Sequence, residues 1–158
     1  MGTALAQEGG GWRLRIPRFT PAYLRGDGPL RQRILVVDDE EPIRFALEAY
    51  FTDQGYDVDC AGELDQAEAL LAERSYAALI ADVRLTGIDG TEGLSLAATA
   101  RAQRPETCVV LLTAHGSHEV VAAARQLRVH AFLHKPKPLA EVAQIVTGLL
   151  ATGPTHTR

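Results

Sequence analysis

The chain has 158 residues, 46% hydrophobic and 23% charged, with a net charge of −4. That length suits one domain of ordinary size with a normal core. No apolar run approaches the ~20 residues that span a bilayer, and the N-terminus lacks the apolar core of a secretory signal, so neither membrane insertion nor export is expected and the cytoplasm is the expected location.

The charge divides unevenly. Residues 1–33 carry six arginines against Glu8 and Asp27, a balance of +4, while the rest carries 10 Lys/Arg against 18 Asp/Glu, a balance of −8. An acidic body argues against direct nucleic-acid binding. Two cysteines, Cys60 and Cys108, fall on separate strand patterns with no metal-site spacing, and both read as buried small hydrophobes.

Residues 1–30 are rich in Gly and Pro and read as a flexible basic extension. Within it, Trp12-Arg13-Leu14-Arg15-Ile16 alternates apolar and basic residues with the period of a strand. Its charge and apolar face would suit docking on the acidic body.

From residue 31 to about 150 the pattern alternates strand and helix five times. A strand at Arg33–Val37 precedes a helix with Pro42 in its first turn and Gly55 as its stop, whose apolar positions are Ile43, Phe45, Ala46, Leu47, Tyr50 and Phe51. Tyr56–Ala61 mixes acids with Val58 and Cys60, as an edge strand would. A helix over about Leu64–Arg74 follows, then strand Ala77–Ala81 and a helix from about Gly90 to Arg104. Strand Cys108–Leu112, a helix over about Ser117–Leu127, strand Ala131–Leu133 and a helix from near Pro138 to Leu150 complete the series. Residues 151–158 read as a polar tail. Alternating strands and helices predict a doubly wound α/β fold with a parallel sheet.

Four of the strand patterns run into polar residues: Asp38-Asp39, Asp82, Thr113 and Lys135-Pro136. In an open parallel sheet the ligand crevice lies outside the carboxyl ends of the strands, so one edge gathers three carboxylates, a hydroxyl and an ammonium. An acid pair after a strand also caps the following helix; joined to the other three residues it reads as a site. Three clustered carboxylates need a cation, and oxygen donors without His or Cys suit a hard ion, Mg²⁺ above all. A carboxylate can attack phosphorus to form an aspartyl-phosphate. Asp82, on the central strand, is best placed to do so, with Lys135 neutralising phosphoryl oxygens and Thr113 hydrogen-bonding one.

The set Val37-Asp38-Asp39-Glu40, Asp82 through Gly90, Thr113-Ala114 and Lys135-Pro136 resembles the CheY-like receiver domain of two-component response regulators, over about residues 33–150. The resemblance implies a flavodoxin-like (βα)5 fold with strand order 2-1-3-4-5. It implies Asp82 as phosphoacceptor, and Asp38, Asp39, Asp82 and the Arg84 backbone carbonyl around Mg²⁺, Asp38 largely through water. It implies Thr113 as switch hydroxyl, Lys135 as phosphate-binding lysine and Phe132 as the switch aromatic, with plain core packing as the other reading of Phe132. A cis Lys135–Pro136 bond is also implied. Arg84 and His115 hold the positions whose side chains tune phosphoryl lifetime. The other histidines, His118, His130, His134 and His156, read as surface residues.

The implied activity is self-phosphorylation and self-dephosphorylation without turnover of a separate substrate. The implied partners are a sensor histidine kinase or histidine phosphotransfer protein and a downstream protein bound at the helix 4–strand 5–helix 5 face, with a phosphorylation-dependent dimer as a further possibility. With no output domain before Arg158, the expectation is a single-domain response regulator; the alternatives are a receiver from a larger regulator or hybrid kinase, or a scaffold that no longer uses its acids. A phosphohydrolase is disfavoured, since no second acid stands two residues beyond Asp82. Two departures stand out. Thr86 replaces the usual Pro, which would loosen the loop after Asp82. Arg128 replaces a usual Gly, so the turn before the fifth strand is expected to be rebuilt.

Overall fold

The computed structural model describes residues 5–8, 11–14, 31–85 and 90–152. The chain divides into two compact units, Met1–Arg31 and Gln32–Arg158. In the first, β1 (Leu5–Glu8) and β2 (Gly11–Leu14) pair antiparallel, with Leu5 opposite Leu14. The alternating segment Trp12–Ile16 coincides with β2 as far as Leu14; Arg15 and Ile16 lie outside the described residues, as do Thr86 and the tail from Gly153 onward.

The second unit alternates β3 (Arg33–Val37), α1 (Glu41–Asp53), β4 (Asp57–Ala61), α2 (Leu64–Glu73), β5 (Ala78–Asp82) and α3 (Glu92–Gln103). It continues with β6 (Cys108–Thr113), α4 (His118–Gln126), β7 (Ala131–His134) and α5 (Leu139–Thr152). The five strands form one parallel sheet in the order β4-β3-β5-β6-β7, which is the expected 2-1-3-4-5.

Successive strand side chains point to opposite faces, and here both faces are covered. Ile34, Val36, Ile80, Val110 and Leu112 pack under α1 and α5 with Leu47, Phe51, Val142 and Val146. Their alternates Leu35, Val37, Leu79, Val109 and Leu111 pack under α2, α3 and α4 with Ala67, Leu71, Leu96 and Ala124. All five residues of central β5 are buried, while β4 at the edge is mostly half-exposed. Pro42 sits in the first turn of α1, and Gly55 follows that helix at φ +93°. The Ser117 hydroxyl caps α4, accepting the Val120 N–H at 3.2 Å. No described helix is long and apolar enough to cross a membrane.

Four expectations need correction. Phe45 is 72% exposed rather than inward. It lies two residues from both Ile43 and Leu47, about 200° round the helix from each. Cys60 is only half-buried, because β4 is an edge; both cysteines are free. The last helix continues through Thr152, two residues into the expected tail. Finally, the turn at Arg128 is not rebuilt: the arginine itself adopts φ +55°. The N–H groups of Leu127, Arg128, Val129 and His130 bond back to Ala123, Arg125, Ala124 and Val109 carbonyls at 2.7–3.3 Å. Those bonds dictate the exit from α4, and the exposed arginine side chain accommodates it.

Candidate functional site

Parallel strands with similar register end together, and here their ends carry the polar residues. Asp38 follows β3, Asp82 closes β5, Thr113 closes β6 and Lys135 follows β7. The strand ends are laced by backbone bonds: Val83 N–H to the Leu112 carbonyl at 2.8 Å and Lys135 N–H to the Thr113 carbonyl at 2.7 Å. The Lys135–Pro136 peptide is cis, as expected.

The side chains meet over this edge. The Lys135 ammonium donates to Asp38 Oδ2 at 2.9 Å and to Asp82 Oδ2 at 2.8 Å, with Glu40 Oε2 at 3.5 Å. Asp38 is 1% exposed and Asp82 7% exposed, so these charges meet away from bulk water. Their remaining oxygens are also engaged: Asp38 Oδ1 accepts the Glu40 N–H at 2.9 Å, and Asp82 Oδ1 accepts the Arg84 N–H at 3.2 Å. Burial pushes the Asp38 carboxyl above its ordinary value, against the pull of Lys135. Burial also works against the charge on Lys135, but its bonds to Asp82 and Asp38 outweigh that and hold its pKa raised.

Asp38, Asp39 and Asp82 each bring a carboxylate oxygen within 4.8 Å of the others. At that spacing like charges repel by about 3 kcal/mol per pair in an effective dielectric of ~20. One ammonium offsets part of this. The donor set of carboxylate oxygens, one exposed and two buried, fits a small hard divalent cation.

Thr113 is 2% exposed, and its Oγ1 accepts the His115 N–H at 3.1 Å. A cleft of about 800 Å³ opens above these groups, and Arg84, His115 and Glu119 join Asp39, Asp82 and Lys135 in its lining. Arg84 and His115 are both exposed at its mouth. Phe132 stands apart from this lining. It is half-buried against the α2–α4 side of the core, its ring edge-on to His134 at 5.5 Å and 73°.

Some contributors escaped the sequence reading. Gly93, in the first turn of α3, has no room for a side chain: a Cβ would strike the Asp82 carbonyl oxygen and come within 2.7 Å of the Val83 Cα. Its N–H bonds to the Val83 carbonyl at 2.9 Å, so the helix leans directly on the backbone that carries Asp82. Glu92 Oε2 accepts the Leu85 N–H at 3.3 Å. Arg44 Nη1 donates to the Asp38 carbonyl at 2.7 Å. His130, read as a surface residue, is half-buried, and its Nδ1 accepts the Val109 N–H at 3.0 Å. His118 and His134 are exposed, as read; His156 lies outside the described residues.

Comparison with known proteins agrees with this geometry. The family described as "Response regulator receiver domain" matches residues 34–147. The transcriptional regulatory protein AruR of Pseudomonas aeruginosa is 44% identical over 86 residues, covering 51% of this chain and 34% of that protein. The response regulator protein PilR of the same organism is 33% identical over 120 residues, covering 76% of this chain and 26% of that protein. The chain thus spans about a third or less of those relatives' length. The signal receiver domain of an HD domain-containing protein from Pseudomonas fluorescens Pf-5 superposes with a TM-score of 0.69 at 27% identity, covering 78% of this chain and 97% of that one. The chain belongs to the response regulator receiver domain family of two-component systems.

Proposed function

We propose that this receiver accepts a phosphoryl group on Asp82 from a phosphohistidine of a sensor kinase or histidine phosphotransfer protein, with Mg²⁺ bound at Asp38, Asp39, Asp82 and the Arg84 carbonyl. The observation that carries the reading is the Lys135 ammonium held between the Asp38 and Asp82 carboxylates. An ammonium so placed stands ready to neutralise a phosphoryl oxygen arriving on Asp82.

An Asp82 carboxylate oxygen is the nucleophile. It forms a bond to phosphorus as the phosphorus–nitrogen bond to the donor imidazole breaks. Mg²⁺, when bound, offsets charge on the carboxylates and the transferring phosphoryl oxygens. Lys135 exchanges one carboxylate contact for a phosphoryl oxygen. The Thr113 hydroxyl turns from the His115 N–H to bond another. Arg84 and His115, at the cleft mouth, obstruct the line along which water would attack, and so lengthen the life of the acyl phosphate.

The added charge, about −1.5 to −2 at neutral pH, draws Thr113 inward and lets Phe132 follow. The readout surface is then the face of α4, β7 and α5, presented to a downstream protein or to a second copy. Incubating the full chain with a small acyl-phosphate donor tests the reading. A hydroxylamine-labile adduct is expected with Mg²⁺ and not after chelation. An adduct that forms equally well in chelator would remove Mg²⁺ from the scheme.

A further inference from the structure

A guanidinium lies behind the acid pair. Arg44, in the first turns of α1, donates from Nη1 to the backbone carbonyl of Asp38 at 2.7 Å. Its own N–H bonds to the Glu40 carbonyl at 3.2 Å, so the residue is tied to the same loop from both ends. Gly62, just past β4, leaves the space: a Cβ there would come 3.1 Å from Arg44 Nη1 and 3.5 Å from Cζ. The chain therefore supplies a side-chain-free berth where the guanidinium rests.

The carbonyl that Arg44 holds belongs to the peptide joining Asp38 to Asp39. A peptide unit is planar, so fixing its C=O also fixes the Asp39 N–H and the direction in which Asp39 departs. Asp38 has other anchors, with its N–H on the Ala61 carbonyl at 3.1 Å and its carboxylate on Lys135 and the Glu40 N–H. Asp39 is exposed at the cleft mouth, so the orientation of that peptide is what aims its carboxylate at the cluster. The guanidinium also places a positive charge behind three carboxylates, through a charge-assisted bond of the stronger kind.

We propose that Arg44 is a positioning residue for the divalent cation, acting through the Asp38–Asp39 peptide, and that Gly62 keeps its berth open. The proposal rests on the metal reading above. It is tested by titrating the full chain with Mg²⁺ and following amide correlation spectra, which report affinity and foldedness together. Loss of the bond in Arg44→Gln is expected to weaken Mg²⁺ binding roughly tenfold, the usual scale for a group that orients a ligand. Arg44→Lys, which keeps a donor and the charge, should recover part of the loss. Gly62→Val, which leaves Arg44 in the chain but fills its berth, should weaken binding in the same direction.

Thermal midpoints measured alongside separate positioning from support. Lowered midpoints with an unchanged Mg²⁺ affinity in both Arg44→Gln and Gly62→Val would overturn the proposal while leaving the metal reading intact. A wild-type chain whose spectra do not respond to Mg²⁺ would overturn both. If Arg44→Gln does not fold, an unchanged Mg²⁺ affinity in Gly62→Val overturns the proposal on its own.

Discussion

Lys135 and Asp82 are 53 residues apart in the chain, yet Nζ of one lies 2.8 Å from Oδ2 of the other. The ammonium is also the counter-charge of Asp38, at 2.9 Å. Without Lys135, the buried Asp38 carboxylate would face Asp82 with no cation between them among the described residues. Lys135→Ala is expected to destabilise the cation-free protein by about 3 kcal/mol, the low end of what loss of one partner from a buried ion pair costs, because the lysine is itself partly exposed. Adding Asp38→Ala to that variant should then restore stability, since it removes the stranded charge. Chemical denaturation in chelator checks both; a double variant less stable than Lys135→Ala would contradict the account.

His130 gives the stability a pH dependence. Its Nδ1 accepts the Val109 N–H, which only the neutral ring can do. Burial, with the charge of Arg101, lowers its pKa below the ordinary value near 6.5. The folded state therefore prefers the neutral ring. Its contribution is fully present above the unfolded value and is lost as pH falls through about 6.5 toward the lowered folded value. His130→Asn keeps an acceptor but cannot titrate. Its drop in stability between pH 7 and pH 5 should be smaller than the wild-type drop. Equal drops in the two proteins would show that His130 is not the sensor.

At the cleft mouth, Arg84→Ala and His115→Ala should each shorten the half-life of the phosphorylated protein. If they obstruct in-line water, a change of about threefold, under 1 kcal/mol of barrier, is the expected scale. The check is the decay of the adduct after donor removal, and an unchanged half-life in both variants would take these residues out of rate control.

Arg128 holds φ +55° without a glycine's freedom. A non-glycine residue there costs about 1–2 kcal/mol, partly offset by its smaller loss of unfolded-chain entropy. Arg128→Gly should therefore raise stability by roughly 0.5–1 kcal/mol, measured by urea denaturation, with phosphorylation unaffected.

The fold was legible because its signals are local. Four apolar runs and one mixed edge run at strand length, each followed by a helical period, leave little freedom beyond a doubly wound sheet. The positions of Asp38, Asp82, Thr113 and Lys135 followed from one rule about strand ends. What stayed hidden depends on distance in space rather than in sequence. Nothing near residue 62 announces that its missing side chain makes room for Arg44, and nothing near residue 93 shows that a helix rests on the Asp82 carbonyl. His130 looks like any loop histidine until Val109, 21 residues away, supplies its N–H. Arg128 misled for a different reason: a conformational cost of about 1–2 kcal/mol is smaller than the several backbone bonds that dictate the helix exit.

Every functional role proposed above depends on Asp82 accepting a phosphoryl group. Intact mass spectrometry of the full chain after incubation with acetyl phosphate and Mg²⁺, beside Asp82→Ala, tests it most directly. The wild type is expected to gain one phosphoryl group and the variant none. A folded wild type that gains no mass, or an Asp82→Ala variant that gains as much as the wild type, would contradict it.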